Sequence, residues 1–296
     1  MLIGISGKIS SGKDTVGKII QYLVWKSRVE RGELPLSVYS FSDFARETSF
    51  GKNQSGFEIK KFADKLKDIV CMLLGCTREQ LEDREFKEKE LGEEWIQYFD
   101  SDYELLQKES VLSMFSERLT PRKLLQIIGT ECIRDKVHPN AWVNALMSEY
   151  KTEVIPNENY GSNRTKPKNW VITKEEEDEY LLDNSHWVYK DEVNVISSNW
   201  IITDMRFPNE LEAVKSRGGI TIRVNRTLPC GDVQFNGTQE EWEELVKKNK
   251  EQSAKFNHPS ETALDNAEFD YTIENNSTIE DLIHTVSLIL KKEKVI

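Results

Sequence analysis

One segment, Gly7-Lys8-Ile9-Ser10-Ser11-Gly12-Lys13-Asp14-Thr15, restricts the fold of this chain more than any other feature. It fits the pattern G-x-x-x-x-G-K. An apolar run, Leu2–Ser6, comes directly before it, and apolar residues at helical spacing follow it over residues 16–24. That order predicts a buried strand, a phosphate-binding loop and an amphipathic helix. The alternative, a glycine-rich turn without a ligand, is disfavoured because a strand and a helix flank the segment in the required order.

The residue types in this segment suit the binding of phosphate. Glycines let backbone N–H groups turn inward around phosphate oxygens, and the N-terminus of the following helix adds partial positive charge. Lys13 supplies a cation for the β- and γ-phosphates of a nucleotide. We therefore expect donor phosphates to bind along the segment, at Gly7, Ser10, Ser11, Gly12, Lys13, Asp14 and Thr15.

The residue after the lysine departs from the usual pattern. A Ser or Thr hydroxyl normally ligates Mg²⁺ at this position. Here the position holds Asp14, and Thr15 comes one residue later. Two ways of holding the metal remain open: Asp14 binds it through water, or the hydroxyl of Thr15 takes the place of the usual ligand.

A second acidic strand end is predicted at Trp200-Ile201-Ile202-Thr203-Asp204. A carboxylate at the end of an apolar strand is typical of a Walker B segment and can face Mg²⁺ held by phosphates. Arg206 follows two residues later, where a guanidinium can reach a transferring phosphoryl group. The alternative is structural: Asp204 caps a helix that begins near Pro208, and Arg206 pairs with Glu210. The phosphate loop favours the functional interpretation, with Lys13, Asp204 and Arg206 as catalytic residues.

A polar stripe indicates an acceptor site. Thr120-Pro121 predicts the start of a helix, with Thr as N-cap and Pro at the first position. Polar residues then recur every four positions, at Arg122, Gln126, Thr130 and Arg134. Together with Lys123, such a stripe can grip an acceptor phosphate and read a base edge, and Trp142 can stack on a base. The alternatives are a solvated helix face and a Trp that packs in the core.

Strands and helices alternate along the chain, which predicts an α/β fold with a mainly parallel sheet flanked by helices. Further predicted strands lie within residues 57–63, 220–224 and 269–273. Further helices are expected up to Gly75, after Pro139, after Pro208 and after the capping box at Thr278.

The acidic charge is concentrated in two stretches. The 296 residues include 40 basic and 51 acidic side chains, a net charge of −11. Residues 82–118 carry −7 of it and residues 151–199 carry −4. Both stretches have weak periodicity, so we interpret them as acidic, solvated insertions in a single domain spanning residues 1–296.

Several classes of protein are disfavoured by composition. The acidic balance argues against a nucleic-acid binder. No apolar run approaches the ~20 residues of a membrane span, and the first residues lack the pattern of a secretory signal. The four cysteines form no C-x-x-C pair and the four histidines are scattered, so we expect reduced thiols, no zinc site and a cytoplasmic protein.

Five segments resemble the bacteriophage deoxynucleoside monophosphate kinases: Ser-Gly-Lys-Asp-Thr at 11–15, Pro-Arg-Lys-Leu-Leu-Gln-Ile-Ile-Gly-Thr at 121–130, His-Pro-Asn-Ala-Trp-Val at 138–143, Asp-Met-Arg-Phe-Pro-Asn-Glu at 204–210, and His-Pro-Ser-Glu-Thr-Ala-Leu-Asp at 258–265. The resemblance runs from residue 1 to the final helix, outside the acidic insertions. It implies a P-loop nucleoside-monophosphate-kinase fold and ATP- and Mg²⁺-dependent phosphorylation of a deoxynucleoside monophosphate. It also implies a homodimer, located in the host cytosol if the gene is that of a phage.

The same resemblance places the acceptor near Arg84, Arg122, Lys123 and Trp142, and the donor phosphates at the loop. Arg84 enters the prediction through the resemblance, since by itself it is an arginine in a charged stretch. Gln126, on the polar stripe, completes the set of predicted substrate-binding residues.

Two other functions remain open on the sequence. The first is a P-loop kinase for another phosphorylated metabolite, such as phosphomevalonate or dephospho-coenzyme A, because the Ser-Gly-Lys-Asp-Thr loop also occurs in small-molecule kinases of that kind. The second is a non-catalytic ATP-binding module that signals to a partner through the acidic insertions. Discrimination between bases favours the nucleotide, and ATP binding without transfer favours the module.

Overall fold

The computed structural model describes residues 1–35, 40–46, 55–98, 116–150, 152–157, 170–182, 186–226 and 259–296. These residues form two compact units. Unit 1 is Met1–Lys61 with Met147–Ile296, and unit 2 is Phe62–Leu146. Cys230, one of the four cysteines, and His258, the first residue of the segment 258–265, lie outside the described residues, as do parts of both acidic stretches.

The strands of the described residues are β1 (Leu2–Ser6), β2 (Glu58–Lys60), β3 (Ile96–Tyr98), β4 (Ser116–Arg118), β5 (Thr152–Pro156), β6 (Trp170–Glu175), β7 (Glu179–Leu182), β8 (His186–Tyr189), β9 (Val193–Ser197), β10 (Trp200–Met205), β11 (Ile220–Asn225) and β12 (Tyr271–Glu274).

The helices are α1 (Lys13–Glu30), α2 (Phe41–Arg46), α3 (Asp64–Leu74), α4 (Arg78–Glu82), α5 (Arg84–Glu88), α6 (Pro121–Gln126), α7 (Ala141–Met147), α8 (Pro208–Lys215), α9 (Pro259–Thr262) and α10 (Ile279–Lys292). Short 3₁₀ turns span Glu93–Trp95 and Lys190–Glu192, and a π-helix spans Ile127–Val137.

The central sheet of unit 1 has five strands in the order β12-β11-β1-β10-β2. Every neighbouring pair is parallel. Ile3 of β1 aligns with Ile201 of β10 on one side and with Ile220 of β11 on the other. The predicted α/β fold with a mainly parallel sheet flanked by helices is confirmed.

Helices cover both faces of this sheet. Ile3 and Ile5 of β1 join one apolar core with residues of α1 and α10. Gly4 faces the other way, where an added Cβ would lie 3.1 Å from Met205 Sδ and 3.1 Å from Val214 Cγ2 of α8. All five residues of β1 are buried because strands and helices enclose it on every side. The carboxyl end of β1 therefore leads into α1 from a fixed position.

The second acidic stretch contains a separate antiparallel sheet, in the order β8-β7-β6-β5-β9. Its strands bury Val154, Leu182, Val188 and Val193 together. Pairing of Thr152 with Ser197 brings the two ends of the stretch side by side. These strands were not predicted from the sequence, because charged residues obscure the alternation of apolar side chains.

Unit 2 packs around Val70, Leu81, Leu119 and Leu124. The first acidic stretch contributes partly buried residues to this cluster, including Phe86, and Leu91 N–H donates to Leu119 O over 2.8 Å. Its described part therefore packs into the unit. Residues 99–115 lie outside the described residues.

The helix predicted at Thr120-Pro121 begins there, and the Thr120 hydroxyl accepts a hydrogen bond from Lys123 N–H. It is α-helical only as far as Gln126 and continues as the π-helix. The predicted stripe is thus shared between two kinds of helix, with Thr130 and Arg134 on the π-helix. Such i→i+5 segments are rare and often occur at functional sites.

In the part of the chain that the structure describes, no helix is both long and apolar enough to cross a membrane. Cys71, Cys76 and Cys132 are free thiols there.

Candidate active site

The glycine-rich loop, residues 7–12, joins β1 to α1 and depends on residues that tolerate unusual backbone geometry. Gly12 has φ +94° and Ser10 has φ +64°, both left-handed. A Cβ on Gly12 would overlap Asn275 Nδ2, which donates to Ser11 O over 2.8 Å. A Cβ on Gly7 would overlap Ser11 Oγ and lie 2.7 Å from Val224 O. The loop therefore keeps its shape only with glycine at positions 7 and 12.

The first turn of α1 offers backbone donors to an anion. The first helical hydrogen bond runs from Val16 N–H to Gly12 O, 2.9 Å. The N–H groups of Lys13, Asp14 and Thr15 consequently have no acceptor within the helix. The Ser11 hydroxyl, buried in the loop, has no hydrogen-bond partner among the described residues. Orphaned donors of this kind fit the oxygens of a phosphate chain.

Lys13, the first residue of α1, is a buried cation directly after the loop. Lys13 is 8% exposed, and its Nζ donates to Lys8 O over 3.4 Å. Burial lowers the pKa of the Lys13 ammonium, and the nearby Arg206 guanidinium lowers it further, while Asp14, Glu261 and Asp204 act in the opposite direction. The Arg206 contribution reflects repulsion between two cations, and an anion bound near both would offset it.

Asp14 ties α1 to two strand ends of the sheet. Its Oδ1 accepts from Lys61 Nζ over 2.9 Å and from the Thr203 hydroxyl over 2.8 Å. Burial alone would raise the pKa of Asp14, but the Lys61 charge and both hydrogen bonds outweigh it and hold that pKa below its usual range. Asp14 is therefore ionised at neutral pH, as a metal ligand must be. Thr15, the third residue of α1, is half-buried beside it in sequence.

Asp204 and Arg206 stand at the carboxyl end of β10, as predicted. The structural alternative assigned them to the next helix, but the N-cap of α8 is Phe207, and Glu210 Oε2 accepts from the backbone N–H groups of Arg206 and Phe207. The Arg206 side chain instead pairs with Glu261, Nη1 to Oε1 over 2.7 Å.

Two carboxylates on one segment face the loop. Glu261 Oε2 accepts from Ile9 N–H over 2.7 Å. Asp265 bridges Lys8 Nζ and Arg223 Nη2, each over 2.8 Å.

No group of three or more His, Cys, Asp or Glu side chains arranged to bind a metal occurs in the described ranges. A Mg²⁺ ion carried by phosphates needs only one or two carboxylates from a protein, since phosphate oxygens and water complete its shell. Asp14 and Asp204 fit that requirement at the loop.

The predicted acceptor residues lie in unit 2. Arg122, in the first turn of α6, pairs with Glu88 of α5, Nε to Oε1 over 2.6 Å. Lys123 is half-buried next to it, while Gln126 and Arg84 are exposed.

Trp142 is 6% exposed, and its indole N–H donates to Gly129 O over 2.9 Å. In this position it anchors α7 to the π-helix. Base stacking on Trp142 stays a prediction, and the packing interpretation accounts for the contacts that the structure shows.

Sequence reasoning missed a set of residues around the loop, namely Lys61, Thr203, Asn275, Glu261 and Asp265. Lys61 and Asn275 each follow a strand, and Thr203 precedes Asp204, so polarity at the carboxyl ends of the strands was an available signal. Glu261 and Asp265 are the acidic residues of the segment 258–265, which was used for the resemblance without a role being assigned to its carboxylates.

The all-parallel sheet, its helices and the glycine-rich loop between β1 and α1 define an α/β fold consistent with P-loop kinases. No protein-family model matches the chain. Over 294 residues the sequence is 22% identical to the deoxynucleoside-5'-monophosphate kinase of Escherichia phage T5, across 89% of this chain and 85% of that protein. This similarity supports a distant relationship to a kinase, and hence a phosphotransferase, at the coarse level.

Proposed function

We propose that the chain transfers the γ-phosphoryl group of ATP to a deoxynucleoside monophosphate. The observation that carries the proposal is Lys13, which is buried at the start of α1, a helix whose first-turn N–H groups have no acceptor within the helix. The resemblance of the five sequence segments and the similarity to the phage T5 enzyme support the nucleotide as acceptor.

The donor phosphates are assigned to the glycine-rich loop and the first turn of α1. Lys13 and Arg206 neutralise their negative charge, which also relieves the repulsion between these two cations. Asp14 and Asp204 are the candidate ligands of Mg²⁺, directly or through water. The bound ion would supply further positive charge at the phosphates.

Transfer itself demands little covalent chemistry from the protein. An oxygen of the acceptor phosphate attacks the γ-phosphorus, and the bond to the β-phosphate oxygen breaks, so ADP leaves with that electron pair. The attacking oxygen is already an anion, so no general base is needed. Catalysis then rests on orientation and on charge neutralisation by Lys13 and Arg206.

The acceptor monophosphate is assigned to Arg122 and Lys123, with Arg84 as a further cation. A guanidinium binds two oxygens of a phosphate at once. Arg122 already binds one carboxylate oxygen of Glu88, and the acceptor would exchange that half-exposed partner for a phosphate. Gln126 is the candidate for contact with the base. The homodimer implied by the resemblance also stays a prediction.

A transfer screen tests the proposal. The chain is incubated with ATP, Mg²⁺ and one acceptor at a time: dGMP, dTMP, dCMP, dAMP, their ribose forms, phosphomevalonate or dephospho-coenzyme A. ADP and the phosphorylated product are quantified together. Equal amounts of both products with at least one deoxynucleotide support the proposal. Transfer only to phosphomevalonate or dephospho-coenzyme A, or ATP binding without transfer to any acceptor, would overturn it.

A further inference from the structure

Glu261 occupies an unusual position for a carboxylate next to a predicted phosphate site. Its side chain is 2% exposed. One oxygen accepts from Ile9 N–H of the glycine-rich loop over 2.7 Å, and the other pairs with Arg206 Nη1 over 2.7 Å. A buried charge is costly unless both its oxygens are satisfied. Both oxygens of Glu261 are satisfied here, one by the loop and the other by Arg206, so the side chain links these two parts of the site.

We propose that Glu261 is a positioning residue that fixes the Arg206 guanidinium against the glycine-rich loop, so that Arg206 meets the donor phosphate in a preset orientation. The inference rests on the proposed function and deepens it by assigning a task to the segment after residue 258. An arginine side chain that is not held in place loses conformational entropy when phosphate binds. If Glu261 orders Arg206 in the free protein, this entropy is lost during folding and no longer weakens phosphate binding.

The contact with Ile9 shows that Glu261 does not occupy the backbone donors assigned to phosphate. Glu261 takes the N–H of Ile9, which precedes α1 by four residues. The N–H groups of Lys13, Asp14 and Thr15, at the start of the helix, are the donors that fit phosphate. Glu261 therefore binds the loop away from those three donors.

A second anchor fixes the same segment. Asp265, one helical turn beyond Glu261 in sequence, pairs with Lys8 on the loop and with Arg223 of β11. Arg223 in turn donates to Ser6 Oγ at the end of β1 over 3.0 Å. The segment is thus tied to the start of the loop at Lys8 and, through Arg223, to the end of β1, which gives Glu261 a fixed base from which to orient Arg206.

The test is a double-mutant cycle with Arg206→Ala, Glu261→Gln and the double variant, on the full chain. Glu261→Gln keeps the size but removes the charge, and it replaces one of the two accepting oxygens by an NH2 donor that can accept from neither Ile9 N–H nor Arg206. We expect it to lower kcat by about 10- to 100-fold, the size of effect that a small misplacement of a catalytic group produces. In the Arg206→Ala background the same change should cost less than about twofold, because its target is gone. Glu268→Gln, an exposed carboxylate on the same segment, is the matched control and should leave kcat unchanged.

Each outcome decides the inference. Equal losses from Glu261→Gln in both backgrounds would show a role independent of Arg206 and overturn it. Tighter ATP binding with full kcat would show that Glu261 competes with phosphate, and would also overturn it. Glu261→Asp is the second variant if Glu261→Gln does not fold: it keeps the charge but is too short to span both partners, so kcat should fall as well.

The cycle is repeated on the Kd for ATP, measured by calorimetry, which needs no acceptor. If the wild type transfers to no acceptor, the proposed function fails, while the binding cycle still decides whether Glu261 acts through Arg206. Non-additive effects on the ATP Kd would support positioning, and additive effects would refute it.

Discussion

Replacing Gly12 by alanine tests the geometry of the loop quantitatively. Gly12 has φ +94°, and a Cβ there would overlap Asn275 Nδ2. The left-handed conformation costs an alanine about 1–2 kcal/mol. Displacing Asn275 from Ser11 O removes a hydrogen bond worth about 0.5–1.5 kcal/mol. Together these costs lead us to expect that Gly12→Ala lowers the free energy of unfolding by about 1.5–3.5 kcal/mol.

Gly218→Ala is the matched control in the same unit. Gly218 has φ +66°, but no atom of the described residues lies within 4 Å of an added Cβ, so only the conformational cost of about 1–2 kcal/mol is expected. Urea denaturation gives the stabilities, and calorimetry gives the Kd for ATP. Gly12→Ala should also weaken ATP by about tenfold or more, because the donors of the first turn shift, whereas Gly218→Ala should not. Equal destabilisation by the two variants, or unchanged ATP binding in Gly12→Ala, would refute this account of the loop.

Three further predictions follow from named groups. The pKa of Lys13 is lowered in the free protein, and bound phosphate would raise it, so the complex holds more protons than the free protein. The affinity for ATP should therefore fall as pH rises through the pKa of Lys13 in the free protein. Calorimetry from pH 7.5 upwards measures this, and an affinity that stays flat or rises would contradict it. Arg122→Lys should raise KM for the acceptor by about tenfold and leave KM for ATP unchanged, whereas the control Arg118→Lys should change neither. A change in KM for ATP alone would place Arg122 at the ATP site instead. Excising residues 153–196 and joining Thr152 to Ser197 by two glycines should leave the Kd for ATP unchanged, because Thr152 and Ser197 are paired neighbours. Weaker ATP binding by a folded variant would show that the antiparallel sheet supports the glycine-rich loop.

The central sheet was predictable because its signals are local. A short apolar run followed by glycines and by helical spacing identifies β1, the loop and α1 without reference to the rest of the chain. The capping box at Thr278 likewise marks the start of α10. The antiparallel sheet was not predictable in this way, since its strands carry charges on their exposed faces and bury only a few residues each.

The residues of the candidate site also differ in whether local sequence signals predict them. Lys13, Asp204 and Arg206 lie in segments whose residue types already indicate phosphate chemistry. Glu261 is 252 positions away from its partner Ile9, and no pattern in the sequence records that pairing. Lys61 and Thr203 reach Asp14 because three separate strand ends meet at one edge of the sheet, which is a property of the fold. Trp142 shows the converse, since a residue type suited to stacking also suits a packed helix junction.

The most direct test of the central claim is the rate of phosphoryl transfer by Lys13→Ala. Wild type, Lys13→Ala and Lys18→Ala are compared with radiolabelled ATP and the best deoxynucleotide acceptor, after circular dichroism confirms that each is folded. Lys18 is exposed on the same helix, so its loss controls for the removal of a charge from α1. Loss of one preset contact to the transferring group predicts a fall in kcat of about 10²- to 10³-fold for Lys13→Ala and none for Lys18→Ala. A folded Lys13→Ala variant that keeps most of the wild-type kcat would contradict the assignment of the loop.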